Sequence, residues 1–106
     1  MTSHVTTDFT KGWFIGNFEP SLLKTKNCEV SVKDYESGDA ETPHYHKVAK
    51  EFTVILTGEF QINGNKYSEN AIIVFEPGEV SHFSCLTKGK TLVVKVPSVS
   101  GDKYLV

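Results

Sequence analysis

His44 and His46 stand two residues apart in T-P-H-Y-H, and Glu51 follows after Lys47, Val48, Ala49 and Lys50. On a β-strand a spacing of two puts both imidazoles on one face. On one unbroken strand Glu51 would face the other way. The residues between, two of them lysines, therefore predict a turn or bend that returns the carboxylate to the histidines. Two imidazoles and a carboxylate converging on one point make a site for a single divalent transition metal. Imidazole suits iron, zinc, nickel and copper, and the carboxylate also admits manganese, so Mn, Fe, Ni or Zn all remain open. A third histidine, His82, lies downstream of Pro77-Gly78.

Other reactive arrangements are poorer. Cys85 is three residues from His82, so the two would face opposite ways on a strand, which argues against a nucleophile–base pair. Ser84 shares the His82 face, but no carboxylate stands behind to orient the imidazole. The glycines punctuate turns and form no phosphate-cradling loop. Tyr35 and Tyr67 could donate protons in a pocket, whereas Tyr45 should face away from the His44/His46 side. Lys47 and Lys50 read as solvated turn charges.

The elements that must position these residues are short strands. Cys28 to Tyr35 alternates, which predicts a half-buried strand with Cys28, Val30 and Val32 inward and Glu29, Ser31 and Lys33 outward. Glu36 to Thr42 is a polar turn, and Pro43 sits at the start of the histidine strand, a position open to proline. Glu51 to Thr57 is apolar on both faces, with Thr53 and Ile55 on the Glu51 side and Phe52, Val54 and Leu56 on the other. Such a strand belongs inside a sandwich or against a second subunit. Phe60 and Ile62 continue it, and Asn63-Gly64 predicts a hairpin before Lys66-Tyr67. Ala71 to Phe75 reads as a buried strand. Val80 to Leu86 carries His82, and in Thr91 to Val96 the placement of Lys95 predicts Leu92, Val94 and Val96 toward the core. Residues 1 to about 10 should fray. Trp13 to Phe18 reads as an apolar arm, with Trp13 expected to seal the core or a subunit contact rather than line a pocket. Many short strands with turn signals and no sustained helical period predict an all-β sandwich or barrel.

The residues Gly38, His44, His46, Glu51 and Gly58 resemble, position by position, the first signature of the cupin superfamily. The stretch from Asn70 to Leu86 resembles the second. There Pro77 and His82 keep the expected separation, but Asn70 or Ala71 replaces a glycine, Gly78 follows Pro77 directly rather than one residue later, and Leu86 replaces an asparagine. The resemblance covers roughly Cys28 to Val96. It implies a double-stranded β-helix, or jelly-roll barrel, of the small RmlC-like single-domain kind. An N-terminal arm would span residues 1–27, the barrel 28–97 and a tail 98–106. It further implies that His44, His46, Glu51 and His82 hold the metal.

Length and composition fit this reading. A chain of 106 residues makes one domain, and 39% hydrophobic residues with a net charge of -2 describe an ordinary globule. All of the 11 basic residues are lysine. Bidentate phosphate and base-edge contacts favour arginine, so nucleic acid is not expected as a partner, and a substrate held through a carboxylate or phosphate is disfavoured without being excluded. The longest apolar run, Ala71 to Phe75, is far too short to span a bilayer, and no apolar leader precedes Trp13, so no membrane partner and a cytoplasmic location are expected. Cys28 and Cys85 are expected to be reduced and structural. Cupins include dioxygenases, decarboxylases, sugar isomerases and epimerases, and non-catalytic sensing domains, so the fold alone does not choose. The ligand set favours a small metal-dependent, dioxygenase-like enzyme on a small organic molecule. A metal- or small-molecule-sensing module and an isomerase or epimerase-like protein are the alternatives. The surplus apolar surface of the arm and strands predicts a homodimer.

Overall fold

The computed structural model describes residues 1–106. Eight strands follow in order: β1 (Trp13–Ile15), β2 (Glu29–Tyr35), β3 (Ala40–Tyr45), β4 (Lys50–Ile62), β5 (Asn65–Tyr67), β6 (Ile72–Phe75), β7 (Ser81–Val96) and β8 (Tyr104–Leu105). Helix is confined to 3-10 turns at Thr6–Asp8 and Thr10–Gly12, so part of the segment expected to fray is locally ordered. Every named strand pairing is antiparallel. Asn63 and Gly64 take φ of 49° and 84° and make the expected β4–β5 hairpin, and Asn70 takes the left-handed conformation at φ 73°.

Two long strands organise the fold. β7 pairs with β2 through Gly89–Lys95 and with β3 through Ser81–Ser84, while β4 runs beside it from Lys50 to Ile62. Their shared register breaks between Ile55 and Phe60. Gly58 sits at this break with φ 86°, and a Cβ there would lie 2.7 Å from the Gly89 Cα. The two backbones touch, so neither position has room for a side chain. Beyond this bend β4 and β7 pass from one sheet of a jelly roll to the other. One sheet carries β1, β2, β6 and the halves of β7 and β4 around Val93 and Thr53. The other carries β8, β3, β5 and the halves around Phe83 and Phe60.

The alternation expected for β2 and for Thr91 to Val96 is present, but both faces are inverted. Ser31 and Thr91 are fully buried, Val93 is buried, and the Lys95 side chain is only 15% exposed. Glu29, Ser31, Lys33 and Tyr35 line the interior from β2, and Thr91, Val93 and Lys95 line it from β7. Val30, Val32, Leu92, Val94 and Val96 lie on the outer face. The physical reason is that half of this interior is a polar cavity, which takes the polar members of each strand and sends the apolar ones out. β4 faces as expected, with Glu51, Thr53 and Ile55 inward. On the outside, Val30, Val94, Phe52 and Val74 align in one row across β2, β7, β4 and β6, and Val32, Leu92, Val54 and Ile72 in the next.

The dry core is a cluster of Ile55, Phe60, Ile62, Phe75, Phe83 and Cys85 next to the bend. Cys28 and Cys85 are both free thiols. β1 is hydrogen-bonded to β2, and β8 to β3, so the arm and the tail each add a strand.

Candidate metal centre

His44 lies near the end of β3 and His46 just beyond it; both are buried. Each ring is oriented by a backbone carbonyl. His44 Nδ1 is 2.9 Å from the Thr42 oxygen and His46 Nδ1 is 2.6 Å from the Asp102 oxygen. A carbonyl can only accept, so Nδ1 carries the proton in both rings and each Nε2 presents a lone pair in the neutral form. The ring centroids are 5.3 Å apart.

The turn expected between His46 and Glu51 is present, and it brings Glu51 Oε1 to 3.5 Å from His46 Nε2. The other Glu51 oxygen accepts from the Thr53 hydroxyl at 3.3 Å. His46 Nε2 is fully buried with no hydrogen-bond partner. A buried lone pair facing a carboxylate oxygen is unfavourable unless a proton or a cation sits between them. His46 and Glu51 are the donors that meet, with the His44 ring beside them, but no three His, Cys, Asp or Glu side chains converge closely enough to hold a metal ion.

His82 is not part of this set. Its side chain is exposed on the outside of β7, and its backbone N–H donates to Asn63 Oδ1 at 2.8 Å. The buried neighbour Ser81 faces inward and pairs in register with His44. A strand alternates with period two, so one residue of slip turns a ligand out of the site. Counting from Pro77 lands on His82; counting from Gly78, which stands one residue early, lands on Ser81. The displaced glycine was the signal.

Sequence reading also missed Asp102. Its carboxylate accepts the backbone N–H groups of Lys47 at 2.9 Å, Val48 at 3.1 Å and Ala49 at 2.8 Å, while its own carbonyl orients His46. One residue thus closes the turn that returns Glu51 and fixes the tautomer of His46. No local pattern announces a partner 55 residues away.

The electrostatics agree with this arrangement. Burial holds the His44 imidazole below its ordinary value, which favours the neutral, ligating form. Burial pushes the carboxyl of Glu51 up, but the imidazole of His46 beside it and the charge of Lys95 outweigh burial and hold it below its ordinary value. Burial also lowers Lys95, opposed by Glu51 and Glu29. Deeper in, Tyr35 Oη donates to Glu41 Oε1 at 3.0 Å. Burial, then the charge of Glu41, raises the Tyr35 phenol far above its ordinary value. Trp13 lines the cavity beside His46, with Phe18 and Pro20, rather than only sealing the core. Tyr45 faces away and stacks on Tyr104 at 5.5 Å. Lys50 is not a turn residue but the half-buried first residue of β4, paired with Glu76 at 3.0 Å, and Lys47 lies over the Tyr104 ring.

No protein-family profile and no curated protein sequence matches this chain. Solved structures do. A protein with a double-stranded β-helix domain from Klebsiella pneumoniae superposes with a TM-score of 0.71 at 21% identity, over 80% of this chain and 75% of that one. A cupin from Bacteroides fragilis gives 0.62 at 24% identity, over 77% and 75%. The DMSP lyase DddQ from Ruegeria pomeroyi gives 0.73 at 18% identity, over 89% of this chain but 49% of that one. The fold is the double-stranded β-helix of the cupins, and enzymes are among the proteins that share it. No helix is long and apolar enough to cross a membrane.

Proposed function

We propose that this chain is a small metal-dependent enzyme of cupin fold that holds one divalent transition ion on His44, His46 and Glu51 and acts on a small organic molecule. The observation that carries the reading is the buried, unpartnered Nε2 of His46 aimed at the Glu51 carboxylate. A bound ion would supply Lewis acidity and open coordination positions. Two histidines and one carboxylate are the donor set of non-haem iron oxygenases, which supports the dioxygenase-like chemistry first expected. The chain's own residues orient the ligands through Thr42 and Asp102, keep Glu51 charged through Lys95, and wall the site with Trp13.

A second reading has its own observation. The Tyr35–Glu41 pair lies in the same interior and is built to hold or pass a proton, which suits lyase, decarboxylase or isomerase chemistry without dioxygen. The test is to strip the protein with a chelator, offer manganese, iron, nickel and zinc separately, and count bound metal. One ion per chain is expected, and no retained ion of any kind would end the metalloenzyme reading. Oxygen uptake with candidate substrates then separates the two chemistries.

A second copy of this chain would cover the outer apolar rows of β2, β7, β4 and β6, where Ile72 is 64% and Val74 42% exposed. Sedimentation should give a dimer, and Val74→Lys a monomer that still folds. A wild-type monomer at micromolar concentration would refute the pairing.

A further inference from the structure

The cavity does not end at the histidines. Beside His46 it widens into a chamber of about 460 Å³, open to solvent between the arm and the tail. Four lysines line it, Lys33 and Lys95 partly buried and Lys11 and Lys103 exposed. The side chains of Lys33 and Lys95 are only 21% and 15% exposed. They stand over the same indole, with Nζ of Lys33 at 5.0 Å and of Lys95 at 4.9 Å from the Trp13 ring.

These ammonium groups are under-used. Each has three donors. Lys33 has one carboxylate neighbour, Glu41 at 3.5 Å, and Lys95 one, Glu29 at 3.7 Å. Both distances exceed the roughly 2.7–2.9 Å of a charge-assisted hydrogen bond. Lys103 has no carboxylate within ion-pair distance. The two acids already serve other donors: Glu41 accepts from Tyr35 at 3.0 Å and Glu29 from Ser98 Oγ at 3.1 Å. The remaining charges at this chamber change little. Asp102 is consumed by backbone N–H groups, and at the rim Glu19 pairs with Lys24 at 3.5 Å while Lys11 is exposed. Two partly buried ammonium groups, Lys33 and Lys95, and the exposed Lys103 thus face the chamber with donors to spare.

We infer that this chamber seats the carboxylate of a small organic acid, the ammonium groups of Lys33, Lys95 and Lys103 binding it over the Trp13 ring while the rest of the molecule reaches toward His46. A phosphate would call for bidentate donors or a cradle of backbone N–H groups, and the chamber offers neither. Trp13, Phe18 and Val99 supply the apolar wall that an organic acid, unlike an inorganic anion, can use. The inference deepens the metalloenzyme reading and rests on it for the reacting end of the substrate, but the anion seat is made of protein alone.

Trp13 is the single tryptophan of the chain, so its fluorescence reports on the seat. Chelator-stripped and metal-loaded protein are each titrated with propionate, its neutral isostere propionamide, and inorganic phosphate, and melting temperature is followed in parallel. Propionate should change the emission saturably and raise the melting temperature in both forms. Propionamide should do neither, and phosphate should bind more weakly than propionate. Lys33→Gln should weaken propionate at least tenfold with metal stoichiometry unchanged, and Lys33→Gln/Lys95→Gln should abolish its binding. The inference is overturned if propionate has no effect on either readout, if propionamide or phosphate equals it, or if the double variant, shown to be folded, binds as wild type. Metal bound without propionate would sink the inference alone; propionate bound without metal would sink the metalloenzyme reading alone.

Discussion

The same two strands build opposite environments at the two ends of the barrel interior. Near the Gly58–Gly89 crossing, β4 and β7 contribute Ile55, Phe60, Ile62, Phe83 and Cys85 to a dry cluster. Away from it they contribute Glu51, Thr53, Ser81 and Lys95 to a polar cavity. Tyr35 is the seam: its ring packs on Phe60 and Phe83 at 5.6 and 5.2 Å, while its hydroxyl reaches Glu41. The difference teaches that stability and chemistry are separated along the strands rather than between them. The dry end can tolerate little change of volume, whereas the polar end is held by hydrogen bonds that can be removed one at a time.

The sharpest way to break this division is at its dry end. Phe60→Ala leaves a cavity in the only fully apolar cluster and should cost about 3–5 kcal/mol, read by denaturant unfolding. Below its lowered melting temperature the variant should still bind one metal ion. At the polar end the pattern reverses: His46→Ala or Glu51→Ala should eliminate stoichiometric metal, measured by elemental analysis, with the far-ultraviolet dichroism of the folded protein retained. A loss of fold there would show that the two ends are not separable.

Asp102 tests the border between the two kinds of effect. Asp102→Ala frees three backbone N–H groups and loosens the His46 ring, so metal affinity should fall about 10–100-fold, by competition with a chromophoric chelator. Stability should fall by about 1–3 kcal/mol. The effect has a pH signature. Burial pushes the Asp102 carboxyl up, but its bonds to the N–H groups of Ala49, Lys47 and Val48 outweigh burial and hold it below its ordinary value. A carboxyl depressed in the folded state adds stability that is present above its unfolded pKa of about 3.9 and disappears as pH falls through the lower folded value. The stability gap between wild type and Asp102→Asn should therefore be full at neutral pH and close in acid. An equal gap at all pH values would place the role of Asp102 in shape rather than charge. The smallest effect belongs to His82→Ala, which should leave metal stoichiometry and affinity unchanged; a loss there would restore His82 to the ligand set.

Much of this was legible in the sequence, and the failures have one physical origin. The strands, the Asn63-Gly64 hairpin, the left-handed Asn70 and the turn between His46 and Glu51 are local, and local chemistry specifies them. Which face of a strand points inward is not local. Apolar faces usually point inward, which predicts Cys28, Val30, Val32, Leu92, Val94 and Val96 toward the core, but this interior is polar and the outer sheet face is apolar. His82 failed by one residue for the same reason, since alternation gives a period without an origin. The sharpest omission, Asp102, acts through chain folded back from far away, which no window on the sequence includes.

That fold-back also orders the making of the site in time. His44, His46 and Glu51 leave the ribosome well before Asp102, which lies 55 residues beyond Lys47. At a synthesis rate of about 5–20 residues per second, the nascent chain carries these three side chains for roughly 3–11 s before the residue that secures them exists. β7, which pairs with both ligand-bearing strands, is also made late. On the proposed metal reading, acquisition would be a late event of biogenesis, with the ion selected by the finished barrel instead of by whichever cation first meets an emerging pair of histidines.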